Sequence, residues 1–174
     1  MIFTATPLQG AFIVEMEPRA DERGFFARTF CAKEFESHGL ETHFLQTNTS
    51  KSPHLHTLRG MHFQVNGHEE VKLLRCVKGS IQDVIVDVRI DSPTYLKWFE
   101  IELSENTHRL LYIPRGFAHG FLTLTPNVEV NYMVSAFYSP ENERGLRWND
   151  PAVNISWKAE PAVISDKDAI HPFL

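Results

Sequence analysis

Seven short apolar runs of period two, bounded by proline, glycine, asparagine or aspartate, punctuate the chain and leave little room for anything but a β architecture. They cover residues 12–17, 71–77, 80–89, 98–103, 110–113, 121–124 and 128–138. Period-two alternation sends successive side chains to opposite faces of a sheet, and regular turn signals fold the strands back on one another. The clearest run is Ser80-Ile-Gln-Asp-Val-Ile-Val-Asp-Val-Arg89, rich in β-branched residues, with Gly79 before it and Asp91-Ser-Pro93 after it. It reads as a buried strand. Only residues 31–41 read as helix, with Phe35 as the apolar contact and Gly39 as the stop. One short helix among many strands excludes a βαβ fold and predicts an all-β sandwich or barrel.

The 174 residues show no internal repeat and no Gly/Ser linker, so a single domain over 1–174 is expected. A chain of this length buries roughly 70% of its unfolded surface. No apolar run approaches the ~18 residues of a membrane span, and the N-terminus lacks a secretory pattern, so a cytoplasmic protein is expected. Cys31 and Cys76 are too few for a disulfide framework. A net charge of -5 without any basic run argues against nucleic acid. A phosphate ligand would then require a few arginines gathered at one place.

The stretch Pro114-x-Gly116-x-x-His119 matches most of the second motif of the cupin superfamily. That resemblance implies a jelly roll, or double-stranded β-helix, with minor short helices. The first cupin motif holds a metal through HxH and a following Glu. With Gly79 as its closing glycine, Lys72 falls at the Glu position and His62-Phe-Gln64 at the HxH. An ammonium has no lone pair to donate and repels a cation, so no barrel-centre metal is expected. His54 and His56 follow Pro53 and read as a surface loop; His68, next to Asn66-Gly67, reads as a solvated turn.

Alternation also groups side chains by face. Lys72 travels with Leu74 and Cys76, His62 with Gln64, His119 with Phe121 and Thr123, and Tyr132 with Val134, Ala136 and Tyr138. Two histidines, a lysine and two tyrosines are thus expected to converge on one interior. Singly, each has a structural explanation, packing for the tyrosines and hydrogen bonding for the histidines. Burying an ammonium without a purpose is costly, and Lys72 favours a chemical site.

The chain resembles the dTDP-4-dehydrorhamnose 3,5-epimerase family, the RmlC type. The resemblance is carried by Asp21-Glu-Arg-Gly-Phe-Phe26, Gln46-x-Asn48-x-Ser50, Leu58-Arg-Gly-Met-His62, Lys72-Leu-Leu-Arg-Cys76, Pro114-Arg-Gly-Phe-Ala-His-Gly-Phe121, Tyr138-Ser-Pro140, Glu143-Arg-Gly145, Trp148-Asn-Asp-Pro151 and Ser165-Asp-Lys-Asp168. It implies a homodimeric epimerase without a cofactor, acting at C3 and C5 of a nucleotide-linked 4-keto-6-deoxyhexose. By that resemblance His62 is the base, an imidazole being suited to accept a proton near neutrality. Asp168 is its partner, Lys72 faces the O4 anion and Tyr132 is the acid. Arg23 and Arg59 match the diphosphate clamp, for which guanidinium geometry is apt. His119 matches a position close to the sugar. Phe26, Gln46, Asn48, Tyr138, Glu143 and Lys167 match nucleotide or sugar contacts. Arg28 stands where many members have Glu, and bears on which substrate is accepted.

Rival readings are an epimerase acting at C5 or C3 alone, a sugar-nucleotide 3,4-ketoisomerase, a sugar-binding cupin without catalysis and a metal-dependent cupin oxygenase. The residues fix neither the nucleotide nor the end product.

Overall fold

Alternation in the sequence becomes two antiparallel sheets packed face to face in the computed structural model, which describes residues 1–174. The strands are β1 (Ile2–Ala5), β2 (Phe12–Glu15), β3 (Arg19–Asp21), β4 (Gly24–Phe26), β5 (Gln46–Ser52), β6 (Leu58–Gln64) and β7 (Lys72–Lys78). They continue with β8 (Ser80–Asp87), β9 (Trp98–Ser104), β10 (Arg109–Ile113), β11 (Phe117–Thr123), β12 (Val128–Val134) and β13 (Glu143–Gly145). Two short helices, α1 (Ala32–Ser37) and α2 (Asp166–Ala169), complete the chain. The six-stranded sheet has the order β1-β2-β10-β7-β12-β5 and the five-stranded one β13-β6-β11-β8-β9. This is the expected all-β jelly roll. No helix is long and apolar enough to cross a membrane.

Between the sheets lies the main core, including Leu74, Cys76, Ile81, Ile85, Leu103, Leu111, Phe117, Phe121 and Val130. β8 is covered on both faces: Ile81 and Ile85 join that core, while Val84 and Val86 pack outward against Met61, Leu146, Val153 and Ile155. A third cluster seats Phe35 of α1 on Val14, Leu73, Leu110 and Tyr112, outside the six-stranded sheet. Burial in the thiol's surroundings pushes Cys76 up to about 11, so it serves as a small apolar side chain.

Several boundaries differ from the sequence expectation. The helix stops at Ser37, and Gly39 follows at φ +68°. β11 starts at Phe117, and β12 ends at Val134 instead of running to 138. β5, β6 and α2 lie outside the seven apolar runs, and all three carry site residues. β5 reads Gln-Thr-Asn-Thr-Ser-Lys-Ser and has no apolar residue, yet pairs with β12 over its whole length.

Candidate active site

The barrel core is apolar at one end and polar at the other. At the polar end β6, β7, β11 and β12 bring His62, Lys72, His119 and Tyr132 to a single cleft. The cleft has two lobes, with cavity volumes of about 290 Å³ and 550 Å³, that share His62, Lys72 and Tyr132. One lobe adds Gln46, Asn48, Gln64, Glu70, Tyr138 and Glu143. The other adds Ser50, Arg59, His119, Phe121, Ser165, Lys167 and Asp168. The face groupings expected from alternation hold: Leu74 and Cys76 lie in the core below Lys72, and Gln64 lines the cleft beside His62.

His62 Nε2 donates to Asp168 Oδ1 at 2.7 Å. That bond fixes the Nε2–H tautomer and leaves the Nδ1 lone pair able to accept a proton. Asp168 is itself held twice more. Its Oδ2 accepts the Gly60 N–H at 3.0 Å, and its own N–H donates to Ser165 Oγ, the N-cap of α2, at 3.1 Å. Burial alone would raise the Asp168 carboxyl, but the His62 and Gly60 hydrogen bonds outweigh it and hold the group below the usual carboxylate range. Gly60 is part of this geometry. At φ +121° it lies so close to β11 that a Cβ there would stand 2.6 Å from Gly120 Cα and 2.7 Å from His119 O.

Lys72 is only 13% exposed, and its Nζ lies 3.0 Å from Glu70 Oε1. Glu70 also accepts from Gln64 Nε2 at 2.8 Å. The buried ammonium therefore has a counter-ion, which the sequence reading did not identify. His119 Nε2 donates to fully buried Asp83, 3.1 Å and 3.0 Å from its two oxygens. Burial pushes the Asp83 carboxyl up, against the pull of His119 and Lys72. Neither Glu70 nor Asp83 carries a motif. Their inward direction on or beside a strand was the only available signal.

In the larger lobe Lys72, Arg59 and Lys167 face one carboxylate, Asp168, which suits an anionic ligand although the whole chain is acidic. Arg59 is anchored by Nε to Ser52 Oγ and Nη2 to the Lys51 carbonyl, both at 3.0 Å, which leaves further N–H donors. Lys167 forms a close ion pair with Glu143, whose Oε2 also accepts from Tyr138 Oη at 2.6 Å. Burial works to raise Glu143, but the Lys167 and Tyr138 bonds prevail and hold it low.

Three predicted site residues do not reach this cleft. Arg23 pairs with Asp21 on the β3–β4 hairpin, and Phe26 on the same hairpin is 74% exposed. Arg28 is engaged by Glu34 at 2.7 Å, in a separate cavity with Met1, Glu17 and Phe26. The N-terminal amine also binds Glu34, and the two cations hold that carboxyl at about 2. Arg28 thus has an acidic partner of its own. His171, which the sequence did not single out, lies beside His62: His62, Asp168 and His171 present N and O atoms within 4.8 Å of one another. His62 Nε2 and Asp168 Oδ1 are already engaged with each other.

The family model described as dTDP-4-dehydrorhamnose 3,5-epimerase matches residues 5–174. A dTDP-4-dehydrorhamnose 3,5-epimerase of Sinorhizobium fredii is 41% identical, over 100% of this chain and 90% of its own length. The crystal structure of dTDP-4-dehydrorhamnose 3,5-epimerase from Bacillus anthracis, with TDP and PPi bound, superposes with a TM-score of 0.96. It is 41% identical, with 99% of each chain covered. More distant is a 3'-monoepimerase from Streptomyces bikiniensis in complex with dTDP-quinovose, 30% identical, with a TM-score of 0.90 over 97% of this chain and 85% of its own. With a model match over nearly its whole length, the chain belongs to the dTDP-4-dehydrorhamnose 3,5-epimerase family.

Proposed function

We propose that the cleft epimerises a dTDP-linked 4-keto-6-deoxyhexose at C3 and C5. Family membership makes the chain an isomerase, and one observation supports the assignment of its residues. His62 stands on the five-stranded sheet and Tyr132 on the six-stranded sheet, both facing the junction of the two lobes, with Lys72 beside them. A sugar ring at that junction has a base on one face and an acid on the other.

The ketone at C4 acidifies the protons on C3 and C5. His62 Nδ1 accepts one of them, the C–H electron pair forms the enolate double bond and O4 takes the negative charge. The Lys72 ammonium stabilises that charge, a contribution of roughly 3 to 4 kcal/mol for a single oxyanion donor. The Tyr132 hydroxyl then protonates carbon from the opposite face as the C=O reforms, inverting the centre. His62 is left protonated and Tyr132 deprotonated; exchange with solvent resets both. No cofactor enters this sequence. Arg59 and Lys167 hold the diphosphate, and Gln46, Asn48, His119, Tyr138 and Glu143 contact sugar or nucleotide.

The protein works as a homodimer in this reading. The strands of the β3–β4 hairpin pair only with each other and project Phe26 and Arg23 into solvent, away from the cleft. A second copy that receives this hairpin over its own cleft obtains the missing arginine and an aromatic platform. Free Cys31 and Cys76 and a nucleotide-sugar substrate fit a cytoplasmic enzyme.

Similarity to a 3'-monoepimerase supports one second reading, inversion at C3 alone. NMR in deuterated water with dTDP-4-keto-6-deoxyglucose separates the two. Exchange and inversion at both carbons are expected. Exchange at C3 only would favour the monoepimerase, and exchange at neither carbon would rule out this substrate.

A further inference from the structure

His171 has no role in the reaction as described, yet its surroundings are those of a placed residue. It is 91% buried by a relative exposure of 9%, and its Nε2 has no hydrogen-bond partner. That nitrogen lies 3.6 Å from Asp168 Oδ1, the same oxygen that accepts from His62. The two imidazoles meet edge to face, with centroids 5.7 Å apart. The ring occupies space that only glycine allows, since a Cβ on Gly145 would fall 2.1 Å from His171 Cε1. Arg147 ties the segment down by donating from Nε to the His171 carbonyl at 2.6 Å.

We propose that His171 is a positioning residue, whose Nε2–H closes onto Asp168 Oδ1 and fixes the carboxylate that orients the base His62. A lone pair aimed at an ionised carboxylate oxygen would be repelled, so electrostatics select the Nε2–H tautomer. The charged and titratable groups acting on the ring are His62 on β6, Glu143 on β13, and Asp168 and Lys167 on α2, while Arg147 meets only the His171 carbonyl. Burial, then the approach of His62, lowers His171 below the ordinary histidine value. It therefore stays neutral and donates a hydrogen bond without competing for the proton that His62 removes.

This role rests on the epimerase reading, and the test separates the two. In ¹⁵N-histidine NMR of the substrate-free protein, His171 is expected as the Nε2–H tautomer; a lone pair at Nε2 would overturn the proposal without any variant. His171→Phe keeps the ring but not the donor, and His171→Gln keeps a donor. With Phe, the exchange rate should fall about tenfold in kcat with KM little changed, and the His62 Nε2–H signature should weaken. Gln, which keeps a donor, should recover most of the loss. Wild-type kinetics and an unchanged His62 signature in His171→Phe would refute the role. A wild-type protein with the expected tautomers but no exchange would instead overturn epimerisation of this substrate, and would leave only the hydrogen bond from His171 to Asp168 standing.

Discussion

Removing a carbon-bound proton and returning one to the opposite face requires two groups with separate duties. His62 has Nδ1 free because Asp168 engages Nε2, and Tyr132 faces it from the other sheet. His62→Ala should lower exchange at both carbons by at least about 10³-fold, read by deuterium incorporation. Tyr132→Phe should retain exchange but lose inversion, because a deuteron can return only from the His62 side. Inversion at the wild-type rate in that variant would remove Tyr132 from its role. Lys72 needs a more careful test, since its loss leaves Glu70 buried without a cation. Lys72→Met should therefore reduce both stability and rate, the rate by about 10²- to 10³-fold. Adding Glu70→Gln should restore thermal stability and leave the rate low. Recovery of both would mean that Lys72 acts only as a counter-ion.

Strands and turns hold these side chains in place, and their tolerances differ sharply. Gly60→Ala puts a methyl group against the β11 backbone, which no side-chain rotation can relieve. The expected cost is on the order of 2 to 4 kcal/mol, with a fall in Tm of roughly 5 to 15 °C and loss of the His62–Asp168 geometry. Gly67→Ala is the control, at φ +83° with nothing within 4 Å, and should cost only about 1 kcal/mol. At the end of β8, Asp87 binds Arg89 through both oxygens and accepts from Ser92 and Thr94. Burial would raise it, but these bonds hold it at about 2. A depressed carboxylate stabilises the fold fully above the ordinary aspartate value near 4, and the benefit disappears as pH falls toward 2. Urea midpoints for Asp87→Asn and wild type should therefore differ at pH 6 and converge as the pH approaches 2. Buried strands such as β8 were legible because both of their faces carry β-branched apolar residues, Ile81 and Ile85 on one and Val84 and Val86 on the other. β5 was not, because its inward residues Gln46, Asn48 and Ser50 line a polar cleft and its outward ones face solvent. The alternation persists there without any hydrophobic mark. Asp83, Glu70 and His171 were missed for a related reason: His119 reaches Asp83 across 36 positions and Asp168 reaches His62 across 106, contacts that topology creates and local pattern does not.

At the scale of the whole molecule, one copy of the chain gathers His62, Lys72 and Tyr132 in its own cleft, but its Arg23 and Phe26 lie outside that cleft. Isologous symmetry makes a specific prediction from this division, because a two-fold dimer that exchanges hairpins has two identical composite sites. Arg23→Ala disables the hairpin of the protomer that carries it, and His62→Ala disables that protomer's own cleft. If hairpins cross, a mixed dimer has one site with both defects and one fully intact. Random reassembly of equal amounts yields about half mixed dimers, so about a quarter of wild-type exchange should return from two nearly inactive parents. If each hairpin serves its own cleft, every site in the mixture carries one lesion and no activity above the parents' average returns. Light scattering should give a dimer mass for each parent and for the mixture, which separates a failure to assemble from a failure to exchange hairpins. A dimer that shows no complementation would keep the oligomer but place Arg23 outside the partner's site, and the diphosphate would then rest on Arg59 and Lys167 alone.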